Sequence, residues 1–271
     1  MVSRDPVSES PASVSVDAQL TALHIVALPG IPLVGPGDDL VQLILDGLNR
    51  AGLALQTGDV VVITSKIVSK AEGRLVDLRQ VEPGEEAVAL ARDTRKDPRI
   101  VELVLRESRR ISRQATGVLI TEHRLGFVSA NAGVDQSNVA GCEDYALLLP
   151  LDPDHSAHSV RAGLARATGA VVGIIISDSH GRPFRIGNVG VAIGVAGMPA
   201  VLDLRGKPDL FGRELKISIQ GYADLIASAA NLLTGEADEG RPVVLVRGLQ
   251  HTQTAGSARD LIRPPDHDLY R

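Results

Sequence analysis

The sequence predicts an α/β or mixed α+β fold, with mixed sheets flanked by helices, and three observations carry that reading. The apolar residues are mainly Val, Ile, Leu and Ala, with three Phe, three Tyr and no Trp, a composition suited to strands covered on both faces. Short apolar runs such as "GDVVVITS", "AVVGIIIS" and "RPVVLVRG" alternate with segments of helical spacing. Several of the strand-like runs follow one another directly, which favours a mixed fold over a purely doubly wound sheet.

In chain order, "LTALHIVAL" reads as the first strand and "PGIPLVGPG" as a turn. Asp38 and Asp39 offer a cap for a helix whose buried face is Leu40, Leu43, Ile44 and Leu48. "GDVVVITS" is a buried strand and "GRLVDL" a shorter one. "PGEEAVALARDTRKDPRIVELVLRES" is helical and broken near Pro98. "GVLITEH" and "LGFVSA" are short strands followed by the polar loop "NAGVDQSN", and "ALLLP" closes a further strand. "DPDHSAHSVRAGLARATG" is a helix ended by Gly169. The strand "AVVGIIIS" stops at Asp178. "RELKISI" is read as another strand, "GYADLIASAANLLTG" as a helix and "RPVVLVRG" as the last strand.

With 271 residues and a net charge of −5, the chain can bury a full core and has the balance of a soluble globular protein. Residues 1–20 are Ser-rich and polar and are expected to be a disordered extension. Residues 21–250 form the working domain, with room for two intertwined subdomains, and 251–271 an irregular tail. The acidic balance and the lack of a stacking platform of aromatics argue against nucleic-acid binding. No run is long enough to span a bilayer. Cys142 is the sole cysteine, read as a small structural residue, and its solitude fits a reducing cytoplasm.

Four polar loops are expected where apolar strands end, the usual place for ligands in α/β proteins. "TSKIVSKAEGR" offers Ser65, Lys66, Ser69 and Lys70 to phosphate oxygens. "NAGVDQSN" brings Asp135 and Asn138, "SDSHGRPFR" brings Asp178 and Ser179, and "GEADEG" brings Glu236, Asp238 and Glu239. Hard divalent cations want such oxygen donors, one or two carboxylates being completed by phosphate and water. Taken singly, an Asp at a strand end is more often a turn or cap residue, and lysines after a strand are usually solvated. No P-loop or H-E-x-x-H occurs, and "GVAIGVAG" has the wrong spacing for a dinucleotide fingerprint. Its glycines mark tight backbone packing instead. His155 and His158 are read as surface residues of a helix. From residues alone the reading ends at an α/β enzyme with a metal and phosphate site.

Taken in series, "GIPLV", "TSKIVSKAEGR", "NAGVDQSNV", "SDSHGRPFR", "VAIGVAG" and "RPVVLVRG" resemble the coenzyme F420-0:L-glutamate ligase family, the γ-glutamyl ligases of deazaflavin biosynthesis. The resemblance implies a GTP-dependent amide ligation in which L-glutamate is joined to the phospholactyl carboxylate of F420-0 through an acyl phosphate. The glutamate tail is then extended through γ-linkages. It also implies two divalent ions, Mg²⁺ or Mn²⁺, with K⁺ as a further candidate, and a cytoplasmic homodimer. Under the same resemblance Ile31, Pro32, Leu33 and Val34 match a guanine-nucleotide segment, and Ser65, Lys70 and Asn138 match nucleotide contacts. Asp135, Asp178 and Ser179 match metal ligands. Thr234, Gly235, Glu236, Ala237, Asp238, Glu239, Gly240 and Arg241 match a later nucleotide segment, in which Glu236 replaces an expected Gln ligand of the metal.

Arg182 and Arg185 are assigned to the anionic substrate, with structural ion pairing as the alternative. His180 stands where an apolar or aromatic residue is expected, and "GNVG" replaces a more polar "GQT" pattern. The flavin reductase-like domain fused to some relatives has no counterpart in this sequence, which is expected to be a stand-alone ligase. Three rivals remain: a related metal- and nucleotide-dependent ligase acting on another carboxylate, a nucleotide-binding protein without catalysis, and a deazaflavin-using oxidoreductase.

Overall fold

The computed structural model describes residues 21–139, 141, 143–250 and 254–268. The expected N-terminal extension, Cys142 and part of the tail lie outside these residues. Strand β1 (His24–Ala27) is followed by helix α1 (Leu40–Arg50), which is capped by Asp39. Strand β2 (Val60–Thr64) runs without a break into helix α2 (Ser65–Ala71), and β3 (Leu75–Asp77) follows. Helices α3 (Glu85–Thr94) and α4 (Pro98–Glu107) precede strands β4 (Ser108–Ala115), β5 (Val118–His123) and β6 (Val128–Ala130). Strand β7 (Tyr145–Leu147) leads to helix α5 (Pro153–Thr168), then to the long hairpin β8 (Gly173–Arg182) and β9 (Arg185–Ala196). Short strands β10 (Leu202–Asp203) and β11 (Ile219–Gln220), helix α6 (Tyr222–Thr234) and strand β12 (Val243–Arg247) complete the α/β fold.

The main sheet has the order β1-β12-β2-β8-β9. Only β2 and β8 run parallel in it; the other neighbours are antiparallel. Because side chains alternate across a strand, Val61, Ile63, Ile174 and Ile176 face one side and pack with Ile44 and Leu48 of α1 and Val160 and Leu164 of α5. Val60, Val62, Ile175 and Val244 face the other side, against Ala223, Ile226, Ala227 and Ala230 of α6. Both faces are covered, so these strands read as continuous apolar runs. Small residues let the helices approach closely. A Cβ on Gly190 would lie 2.5 Å from the Ala227 carbonyl oxygen, and one on Gly194 would lie 2.4 Å from that of Pro153.

A second core joins α3 and α4 to β5 and β7 through Leu78, Ala91, Val101, Val104, Leu119 and Ala146. It is tied to the main sheet region by Arg74. Its Nε donates to the Leu149 carbonyl at 2.8 Å and its Nη2 to Glu107 at 3.0 Å. Arg124 also donates to Glu107, at 2.9 Å. Burial alone would raise the Glu107 pKa, but His123, Arg74 and Arg124 together hold it down at about 2.

Several sequence expectations change. The strand through "AVVGIIIS" does not end at Asp178 but continues to Arg182, because β9 pairs with it from Ile174 to Arg182, with register shifts after Ile176 and after Gly181. The polar ends of both strands are sustained by each other rather than by burial. "TSKIVSKAEGR" is largely a helix and not a loop, with Ser65 and Ser69 one turn apart on its buried side. "RELKISI" is not a strand along its length; only Ile219 enters β11. Its Ile217 is 87% exposed, so no core holds the segment extended. Strand β4, rich in Arg and Ser, had no apolar alternation to announce it. The helical stretch broken near Pro98 is the pair α3 and α4, with Pro98 in the first turn of α4. His155 and His158 are exposed on α5.

Candidate functional site

Four segments distant in sequence are stapled into a ring by side-chain contacts. The Ser65 hydroxyl at the start of α2 donates to Asp178 Oδ1 at 3.1 Å, across 113 positions of chain. From the next residue of α2, Lys66 Nζ lies 2.7 Å from Asp135 Oδ2 and also donates to the Ser137 carbonyl and hydroxyl. Lys70 Nζ donates to the Asn138 carbonyl at 2.7 Å. The Asn138 amide donates in turn to the Ala237 carbonyl at 2.7 Å. The ring closes where the Ser179 hydroxyl donates to Glu236 Oε1 at 2.7 Å.

The local sequence explains each placement. Spacing of four on α2 sets Ser65 beside Ser69 and Lys66 beside Lys70. Asn138 takes a left-handed φ of 54°, a conformation that Asn tolerates better than most residues. Asp135 is fixed by a backbone bridge to Leu147, and its Oδ1 accepts from the Ser137 amide at 2.7 Å. Strand alternation turns Asp178 and His180 to one face of β8 and Ser179 to the other. Accordingly His180 Nε2 is 3.0 Å from Asp178 Oδ2, whereas Ser179 meets Glu236.

Asp135 and Asp178 line one small cavity with Ser65, Lys66 and Ser69. The Ser69 hydroxyl is buried there without a hydrogen-bond partner among the described residues. Burial works against the Asp135 anion, but the Lys66 ammonium and the Ser137 amide outweigh it and hold the carboxyl below its ordinary range. Burial and the neighbouring Lys66 charge push the Lys70 ammonium down. The cavity thus brings Lys66 together with two carboxylates, while Lys70 holds the neighbouring Asn138 carbonyl.

The F420-0:gamma-glutamyl ligase family model matches residues 30–248. The chain belongs to that family. A coenzyme F420:L-glutamate ligase of Methanopyrus kandleri is 48% identical over 256 residues, covering 93% of this chain and 99% of the relative. The protein of that name from Methanothermobacter thermautotrophicus is 45% identical over 251 residues, covering 92% of this chain and 99% of the relative. The one from Archaeoglobus fulgidus is 41% identical over 249 residues, covering 92% and 96%.

Within this F420-0:gamma-glutamyl ligase chain the four residues read as metal ligands fall into two groups. Asp135 and Asp178 share the small cavity, while Ser179 and Glu236 bind each other and do not line it. Among the described residues no three His, Cys, Asp or Glu side chains form a metal cage by themselves. The donor set still fits a hard ion such as Mg²⁺, which commonly takes one or two carboxylates and leaves its other positions to phosphate and water.

The remaining sequence candidates are placed as follows. In the segment Ile31 to Val34, Ile31 packs on the main core and Val34 is buried, whereas Leu33 is 96% exposed. Thr234 ends α6 and its hydroxyl donates to Asn231, whose amide holds Glu236 at 2.9 Å. Glu239 accepts from the Ala237 amide, and Asp238, Gly240 and Arg241 are exposed. Arg182 and Arg185 are register partners in the backbone pairing at the tip of the β8–β9 hairpin, and neither lines the small cavity or a second cavity that lies beside β9. Sequence reading gave no role to Ser137 or Asn231, since nothing in linear spacing ties them to Lys66 or Glu236. His180 carried a signal as the departure from pattern, and it proves to be the partner of Asp178.

Proposed function

We propose that this protein is the GTP-dependent ligase that joins L-glutamate to the phospholactyl carboxylate of F420-0 and then lengthens the γ-linked tail. The observation that carries the reading is the shared cavity of Asp135 and Asp178, walled by Ser65, Lys66 and Ser69. The names of the family and of the relatives point to the F420 acceptor and to L-glutamate; the assignment of GTP rests on the lysines and carboxylates of the ring and on the resemblance given above. GTP gives its γ-phosphoryl group to the acceptor carboxylate, leaving GDP and an acyl phosphate. The glutamate amine attacks the acyl carbon, phosphate leaves, and one proton is released. Lys66 and Lys70 counter the charge of the triphosphate, which would otherwise repel the acceptor carboxylate. Ser65 and His180 orient Asp178, and the Ser137 amide orients Asp135. Mg²⁺ or Mn²⁺ held by Asp135 and Asp178, with Ser179 and Glu236 alongside, would stabilise charge on the transferred phosphoryl group.

Exposed apolar side chains at Ile186, Leu210, Phe211 and Ile217 offer surface that a second copy of the chain would cover in the proposed homodimer. Among the described residues no helix is long and apolar enough to cross a membrane. The deciding experiment is mass spectrometry of the product from F420-0, GTP and L-glutamate. A mass gain of one or more glutamyl residues, with GDP released, is the expected outcome. Ligation to a different acid, or hydride transfer without glutamate, would favour the rival enzymes.

A further inference from the structure

A second cavity, of about 150 Å³, lies beside the edge strand β9 and is separate from the ring of carboxylates and lysines. A space of this size holds a benzene-sized molecule, too little for a nucleotide and suited to a single amino acid. Its apolar wall includes Phe127, Val191 and Leu261, and its polar lining includes His180, Asp224 and Arg259. Two further carboxylates line it but are committed. Asp154 accepts from the amides of Val195 and Ala258 and from the Ser257 hydroxyl, and Asp152 spends Oδ1 on the His155 amide.

Asp224 differs from both. Its Oδ1 accepts from the Ala192 amide at 2.8 Å, and its other oxygen has no hydrogen-bond partner among the described residues. Burial pushes this carboxyl up from its ordinary range, so a cation brought beside it would be favoured. Arg259 is exposed, and its guanidinium forms no ion pair among the described residues. The cavity therefore offers a half-buried carboxylate and an exposed guanidinium, the pattern that matches an ammonium at depth and a carboxylate at the mouth. His180 links the two sites, since its ring lines this cavity while its Nε2 meets Asp178.

We propose that this cavity receives the amino-acid substrate, its ammonium on Asp224 and a carboxylate on Arg259, with His180 as the partition from the phosphoryl-transfer site. The proposal rests on the ligase reading above. Its geometry gives an amine-bearing substrate a chamber of its own, one side chain away from where the acceptor would be activated.

The test uses the full chain and two mild variants. Asp224→Asn keeps the acceptor for the Ala192 amide and removes the charge; Arg259→Ala changes an exposed side chain. Product mass with the unaltered protein first settles the ligase reading by itself. If product forms, each variant is expected to raise the KM for L-glutamate about tenfold or more, the loss of one charge-assisted hydrogen bond, with the KM for GTP unchanged. An unchanged KM for L-glutamate in both variants would overturn the cavity assignment and leave the ligase reading standing. If no product forms, calorimetric titration with L-glutamate decides. Binding by the unaltered protein that both variants lose supports the assignment, and absent or variant-insensitive binding overturns it.

Discussion

The inner and outer halves of β8 share one strand but not one environment. From Ile174 to Ser177 the strand is paired on both edges, by β2 on one side and β9 on the other. There Ile174, Ile175 and Ile176 have no solvent exposure at all. Beyond Ser177 the partner β2 has ended, because the chain turns into α2 at Ser65. The outer half keeps only β9, and it is here that Asp178, Ser179 and His180 stand. One strand thus supplies a rigid anchor and, continuous with it, a half-open edge on which charged groups can meet a ligand. Rigidity of the inner half fixes the outer half to the sheet, which is what the proposed triphosphate site requires.

The sharpest way to break this division of labour is Asp178→Asn. Turnover should fall about a hundred- to a thousandfold, the scale of removing one charge-stabilising group, while the thermal midpoint stays near that of the unaltered chain. Wild-type turnover would remove Asp178 from the site. Ile175→Ala in the inner half should do the opposite. Truncating a fully buried Ile costs about 2–5 kcal/mol in denaturant unfolding, and the folded remainder should keep its KM for GTP. A changed KM would show that the two halves are not separable. Lys70→Ala should raise the KM for GTP by about tenfold, and an unaltered value would mean that Lys70 serves only to hold the Asn138 loop.

The smallest effect concerns the second core. Glu107 has its pKa depressed from the ordinary 4.5 to about 2 in the folded protein. The stability it lends is therefore complete above pH 4.5 and is lost progressively as the pH falls from there toward 2. Glu107→Gln should lower stability at neutral pH and flatten its decline in that acid window, measured by unfolding at several pH values. An unchanged decline would assign acid sensitivity to other groups.

How far the sequence could be read follows the same division. The inner half of β8, with β2 and β12, is visible as unbroken apolar runs because burial on both faces leaves no choice of residue. The outer half is misread as a loop because its pairing partner β9 opens on Arg185, Gly187 and Asn188 near the turn, and pairing between polar strand ends leaves no periodic trace. Asp135, Asp178, Lys66 and Lys70 are legible as residue types at strand ends. Their contacts are not, since Ser65 and Asp178 lie 113 positions apart. The separation of Ser179 from Asp178 depends on knowing that both sit on a strand, which turns neighbours to opposite faces. The Asp224 cavity has no linear signature, because strand β9, helix α6 and the segment around Arg259 meet only in the fold.

The most direct measurement is uptake of Mn²⁺ in the presence of GTP, followed by electron paramagnetic resonance, for the unaltered chain and for Asp135→Asn and Asp178→Asn. If both carboxylates face one ion beside the triphosphate, the unaltered protein should take up protein-bound Mn²⁺ and each variant should lose most of it. Equal uptake by all three proteins would contradict a site shared by the two aspartates.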